Sequence, residues 1–300
     1  MAGSLPAHVR VVVIGGGIAG CSVAYHLAKL GWRDVLLLER REISCGTTWH
    51  AAGLVGQLRA TQNLTRLAKY GADLYERLEA ETGQATGFRR PGSVSLARNA
   101  ERMHELKRLA SMAPCFDVEV GVVTPSGAGR RRPLLRTDDL IGALWLPRDG
   151  RTNPIDTTLA LARGARQGGA TILENTAVTA VCVEHGRVAG VKTTAGDVTC
   201  EVVVNSAAMW AREVGLMAGV NVPLHASEHF YIVTEPMAGV KPDLPVLRDT
   251  DGYIYVREEV GGLLMGGFEP VAKPWGMEGI PADFAFSLLP EEWEHFQVLM

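Results

Sequence analysis

No window of about 18 or more apolar residues occurs in the chain, so no helix in it could cross a bilayer. Neither sign of charge is in excess. Thirty Lys and Arg stand against 33 Asp and Glu, a formal charge of -3, which leaves no basic stripe for nucleic acid. Neither a membrane nor a nucleic acid is therefore expected as a partner. Cysteine is sparse: Cys21, Cys45, Cys115, Cys182 and Cys200 are odd in number and lack any CxxC spacing. That pattern argues against a disulfide framework and against a zinc site, and no metal is expected. The opening MAGSLPAHVR lacks the charged-then-apolar order of a signal peptide and is too short for an Arg- and Ser-rich transit sequence. A reducing, cytoplasmic location is the expectation. What remains is globular, because 47% hydrophobic residues over 300 positions suffice for a large core or for two domains sharing an interface.

The first forty residues carry the strongest local signal. VRVVVI, residues 9 to 14, is a β-branched run of the kind buried on both faces of a parallel sheet. GGGIAG follows, placing Gly15, Gly17 and Gly20 at GxGxxG spacing, and CSVAYHLAKLGW then has helical periodicity. The three glycines do different things. Gly15 makes the tight turn, Gly17 lets backbone approach a pyrophosphate, and Gly20 permits close helix-to-strand packing. A second strand, DVLLLE, ends at Glu39, nineteen residues after Gly20 and followed by Arg40. An acid there accepts ribose hydroxyls and repels a 2′-phosphate, so the fingerprint predicts an adenosine dinucleotide. The alternative is a glycine-rich turn with no ligand.

NAD and FAD share this fingerprint, and the next segment separates them. Instead of another helix and strand, the chain runs into GTTWHAAGL, whose small residues let backbone pack against a flat ligand while Thr47 and Thr48 donate to phosphate. GGGIAGCSVAYHLAKLGWRDVLLLER followed by GTTWHAAGL resembles the dimethylglycine dehydrogenase and sarcosine dehydrogenase family. The resemblance implies an α/β fold: an FAD-binding Rossmann-type domain with an inserted antiparallel-sheet substrate domain, as in D-amino-acid oxidase. It also implies that His50 carries FAD covalently, and that Gly53 and Leu54 lie along the cofactor. A neutral imidazole is a competent nucleophile toward an electrophilic flavin carbon. The other reading of His50 is a packed loop histidine bonded to backbone. Further along, the resemblance sets Val178 of the TAVTAV strand against the adenine and brings Asn205 to Ala208, including Ala207, near the dinucleotide.

The expected layout is discontinuous, with residues 1–88 and 145–215 forming the FAD domain and 89–144 and 216–300 the substrate domain. Residues 61–82 read as a packing helix with Leu64, Leu67, Ala68, Leu74 and Leu78 on one side, and 99–112 as an amphipathic helix. After residue 215, HFYIVTEP, GYIYVREE and GLLMGGFE predict an antiparallel sheet. Ser126, Gly127 and Gly129 replace helix formers, so a loop is expected before PLL, with Arg130 to Arg132 solvated. The amphipathic LPEEWEHFQVLM reaches Met300 without a cap, which reads as a flavin module cut at about two-thirds of its length. A tetrahydrofolate-binding part, as the family implies, would belong only to a longer version.

Amine oxidation by a flavin needs an unprotonated substrate nitrogen and donors for the substrate carboxylate. In LHASEHFYIVTEP, alternation along a strand places His225, His229 and Tyr231 on one face. By resemblance, His229 matches the active-site histidine of dimethylglycine-oxidising relatives and Tyr255 their active-site tyrosine, the two on neighbouring strands. Arg257 is the candidate carboxylate clamp, with pairing to Glu258 or Glu259 as the alternative. His26 and His104 lie in ordinary amphipathic helices and read as structural. The resemblance thus implies oxidative demethylation of sarcosine or dimethylglycine, with electron-transfer flavoprotein or oxygen as electron acceptor. Two other classes stay open: a regulatory relative like the regulatory subunit of pyruvate dehydrogenase phosphatase, which lacks the histidine of the TWH motif, and a glycine or D-amino-acid oxidase with noncovalent FAD.

Overall fold

A computed structural model describes residues 4–300. Its first sheet has the strand order Thr171–Leu173, Val35–Leu38, His8–Ile14, Gly196–Asn205, Arg187–Thr193, Val178–Glu184. The first four run parallel and the last two join antiparallel. Because side chains alternate along a strand, each central strand feeds two cores. Val11, Val13, Val35 and Leu37 pack beneath the helices Ile18–Lys29 and Pro154–Gln167, while Val12, Ile14, Leu36 and Leu38 face Val181, Val191 and Val198 on the other side. The two helices meet at glycines. A Cβ on Gly164 would lie 2.7 Å from the Tyr25 ring, and one on Gly168 would lie 2.6 Å from the Ala28 Cβ.

The second sheet has seven strands in the order Tyr231–Val233, Gly262–Gly267, Ile254–Glu259, Val246–Asp249, Ser93–Ala97, Gly142–Leu146, Gly121–Val123. Its pairings are antiparallel apart from Val246–Asp249 with Ser93–Ala97. The helix Ala100–Met112, capped by Asn99 accepting the Arg102 amide at 2.8 Å, buries Met103 and Leu106 over it.

Four local expectations are corrected. Pro125–Arg131 is a helix, not a loop: Thr124 Oγ1 caps it by accepting the Gly127 amide at 3.2 Å, and proline occupies its first turn. Cap and proline together offset the poor propensity of its glycines, of which Gly129 sits close to its neighbour, a Cβ there lying 3.1 Å from Thr137 Cγ2. Of the three arginines only Arg130 is exposed. Arg132 is buried and donates to the Pro245 carbonyl, and burial lowers its pKa to about 10. The long helix Gln62–Thr82 buries Leu74 and Leu78 but leaves Leu64 and Leu67 in the open. Finally, His225, His229 and Tyr231 share no strand. Ala226–Glu228 pairs with Lys273–Trp275 and Tyr231–Val233 with Gly262–Gly267, so the chain changes sheets at His229.

Candidate active site

The glycine turn is built as tightly as its spacing requires. Gly15 has φ +112°, a conformation L side chains rarely adopt, and a Cβ there would sit 2.5 Å from the Ser206 carbonyl oxygen. A Cβ on Gly20 would collide with the Gly15 carbonyl, and one on Gly17 would lie 3.0 Å from Thr48 Oγ1. That hydroxyl accepts the Ile18 amide at 3.0 Å, so Thr48 stands at the positive end of the first helix. Glu39 is buried and braces the turn: one oxygen accepts the Gly16 amide at 2.6 Å and the other the Arg41 amide at 3.0 Å.

A cavity of about 280 Å³ opens beside the turn, lined among others by Gly15, Gly17, Glu39, Val178 and Ala207. Arg40 and Trp210 also line it, the guanidinium stacked 4.1 Å above the indole. Trp210 was not foreseen from sequence; a lone tryptophan after NSAAM was its only signal. Arg40 Nε and Trp210 Nε1 are buried without partners. Two orphaned donors at a glycine-built cradle fit a polar ligand bearing acceptors, as a dinucleotide does.

Through Ile18, Thr47, Thr48 and Ala208 this cavity meets a cleft of about 1410 Å³ lined by second-sheet residues and by the segment that holds Thr47 to Val55. His50, at the end of the single turn Thr47–His50, lines the cleft with Gly53 and Leu54. Gly53, at φ +69°, passes so close to the Thr152 carbonyl that no Cβ would fit. His50 Nδ1 lies 3.1 Å from the Gly46 carbonyl oxygen and Nε2 2.7 Å from that of Ser287, and its ring stacks on Phe284 at 6.2 Å.

On the opposite wall stand His229, Tyr231 and Tyr255. His229 and Tyr255 do not lie on neighbouring strands, contrary to expectation: His229 precedes the strand Tyr231–Val233 and belongs to none, and Gly262–Gly267 runs between that strand and Ile254–Glu259, with Tyr231 and Tyr255 both paired to Gly266. A Cβ on Gly266 would lie 2.6 Å from the Tyr255 hydroxyl and 2.8 Å from Tyr231 Cβ, so glycine lets the two converge. Phe268 links the wall, its ring edge-on to His229 at 5.4 Å and tilted to Tyr255 at 6.1 Å. Burial, and then the neighbouring Tyr231, raise the Tyr255 pKa. Its hydroxyl therefore stays protonated at neutral pH and is available as a donor.

Arg257 does not line the cleft. Its buried guanidinium donates to the carbonyls of Ala52 at 2.6 Å and Glu258 at 2.8 Å and pairs with Glu259. The pairing with Glu259 noted from sequence is thus present, and the clamp role is not. Arg248, opposite Tyr255 in the strand register, and Arg59 do line the cleft, and sequence reasoning missed both. Between them lies buried Asp149, accepting from Ser93 Oγ at 2.6 Å and the Gln57 amide at 2.8 Å. Burial raises its pKa, opposed by those two hydrogen bonds and by the two arginines. Two guanidiniums facing one satisfied carboxylate leave positive charge over, which suits an incoming carboxylate. His26, by contrast, is tied to the Ser22 carbonyl at 2.7 Å and the Tyr70 hydroxyl at 2.8 Å, a structural role.

The profile of the DAO family, FAD dependent oxidoreductase, matches residues 10–297. Over 99% of its length the chain is 40% identical to the mitochondrial pyruvate dehydrogenase phosphatase regulatory subunit of Mus musculus, covering 34% of that protein. Over 97% of its length it is 43% identical to the mitochondrial sarcosine dehydrogenase of Homo sapiens, covering 32% of it. The chain thus spans about a third of the length of these relatives. Among solved structures, L-proline dehydrogenase from P. horikoshii superposes with a TM-score of 0.85 and 28% identity, over 98% of this chain and 76% of that one.

Proposed function

Because the chain belongs to the DAO family of FAD dependent oxidoreductases, we propose that it forms the cofactor- and substrate-binding part of an enzyme that oxidatively demethylates an N-methylated glycine, sarcosine or dimethylglycine. The observation that carries this reading is the cleft itself. It joins the glycine-built cradle to a wall bearing His229 and Tyr255, with the unbalanced positive charge of Arg59 and Arg248 beside them.

Gly15, Gly17, Gly20, Glu39, Arg40, Thr47, Thr48, Val178 and Ala207 would hold FAD, with Gly53 and Leu54 along its length and His50 as its covalent anchor. When bound, FAD supplies the two-electron acceptor for the substrate carbon. The chain's own residues do the rest. Arg248 and Arg59 hold the substrate carboxylate and so fix which carbon faces the cofactor. His229 accepts the ammonium proton, because only a free amine can be oxidised. Tyr255 donates to the amine or to a water beside it. The final acceptor would be an electron-transfer flavoprotein or oxygen, and a folate partner would bind only to parts of a longer protein.

The test is anaerobic flavin reduction in the full-length holoprotein with sarcosine, dimethylglycine, glycine and a D-amino acid in turn. Bleaching by the N-methylated glycines alone is expected; bleaching by glycine or D-amino acids alone would replace this reading with the oxidase one. The likeness to a phosphatase regulatory subunit favours a second reading, a non-catalytic relative. A flavin that no amine reduces would support it.

A further inference from the structure

Beside His229, outside the cleft lining, lies a carboxylate that nothing satisfies. The Glu269 side chain is 2% exposed, and neither of its oxygens has a hydrogen-bond partner. Two imidazoles flank it: His229 Nδ1 lies 3.7 Å from one oxygen, and His295 Nε2, itself buried and unpartnered, 4.0 Å from the other. An unpaired buried carboxylate is costly, and the two imidazoles are the groups placed beside this one.

We propose that Glu269 is a positioning residue for His229, an assignment that rests on the function proposed above. By facing Nδ1 it favours the tautomer with the proton there, which leaves Nε2 free as the acceptor. The proton then moves from the substrate ammonium nitrogen to His229 Nε2, the N–H bonding pair stays on nitrogen as the lone pair of the free amine, and no electrons change hands. The resulting imidazolium stands against the Glu269 carboxylate, so the pair is neutral after transfer. The groups facing this pair come from three elements: Tyr255 from the strand Ile254–Glu259, Tyr231 across Gly266, and His295 from the turn Trp293–Phe296. Lys273, the nearest cation along the chain, is already held by Glu228 and Glu292.

Glu269→Gln keeps the shape and removes the charge. Two profiles are read in the flavin-loaded full-length protein: the rate of flavin reduction against pH, and the rate at which diethyl pyrocarbonate modifies His229 against pH, followed by peptide mass spectrometry. Losing the carboxylate that faces Nδ1 should move the acid limb of both profiles to lower pH. Glu269→Asp, which keeps the charge, should stay near wild type and serves as the smaller perturbation should the Gln variant not fold. A lowered melting temperature with both profiles unmoved would make Glu269 merely structural and overturn the proposal. The modification profile needs no substrate. If no N-methylated glycine reduces the flavin, the functional reading fails while His229 modification still decides the pairing.

Discussion

His50 Nε2 lies 2.7 Å from the carbonyl oxygen of Ser287, and its other nitrogen is 3.1 Å from that of Gly46. A neutral imidazole has one N–H, so it can donate to only one of these two acceptors. In that neutral ring the other nitrogen keeps its lone pair, and the ring is held in place by the bond the first one makes. That is the state in which an imidazole attacks carbon. His50→Ala should abolish acid-stable flavin in the full-length protein while noncovalent flavin still binds. The check is a flavin mass on tryptic peptides spanning residue 50, and its absence from active wild-type protein would remove His50 as the anchor.

Tyr255→Phe keeps the ring that packs on Phe268 and loses only a hydroxyl. If that hydroxyl orients the amine, flavin reduction should slow by about 10- to 1000-fold with flavin content intact. Stopped-flow reduction with melting temperature alongside distinguishes this from a packing role, which would lower stability and leave the rate alone.

The two arginines on adjacent strands should separate by phenotype. Arg248→Gln removes a charge facing the cleft, and the loss of one charge-assisted hydrogen bond predicts a rise in substrate KM of about 10- to 100-fold at little cost in stability. Arg257→Gln instead breaks bonds to Ala52 and Glu258, and its effect should fall on the melting temperature. An unchanged KM in Arg248→Gln would return the carboxylate site to Arg59 alone.

Acid should loosen the seam between the first and the long helix. The Tyr25 hydroxyl, then Lys29 and Arg77, hold the Glu81 carboxyl below its usual range. A carboxyl depressed in the folded state adds stability that is complete above its unfolded value, about pH 4.3, and is lost as pH falls through the folded one. Melting temperature should therefore drop on acidification below about pH 4.5, and less steeply in Glu81→Gln. Parallel curves for the two proteins would assign acid sensitivity elsewhere.

The dinucleotide cradle was legible because its requirements are local. Gly15, Gly17 and Gly20 each answer to backbone within the turn or just beside it, and Glu39 sits at a fixed distance along the same unit. The cleft was less so, because its charges meet through pairings of strands far apart in sequence. Arg257 and Tyr255 share a strand face in the sequence pattern, but what surrounds Arg257 is Ala52, some two hundred residues earlier. Arg248 came to the site only through its register with Tyr255. At Pro125–Arg131, propensity pointed one way and a single threonine cap the other, and a seven-residue helix is short enough for its ends to decide.

The one parallel pairing of the second sheet, Val246–Asp249 beside Ser93–Ala97, joins strands about 150 residues apart. Between them in the chain lie four strands of the first sheet, which itself waits for Gly196–Asn205 to flank His8–Ile14. During synthesis neither sheet can close until Gly196–Asn205 and Val246–Asp249 have left the ribosome, and closing a loop of this length carries an entropic cost that precedes any reward. The nascent chain must hold both Ser93–Ala97 and His8–Ile14 with one edge bare over these intervals, which makes the two strands places where a chaperone has something to shield.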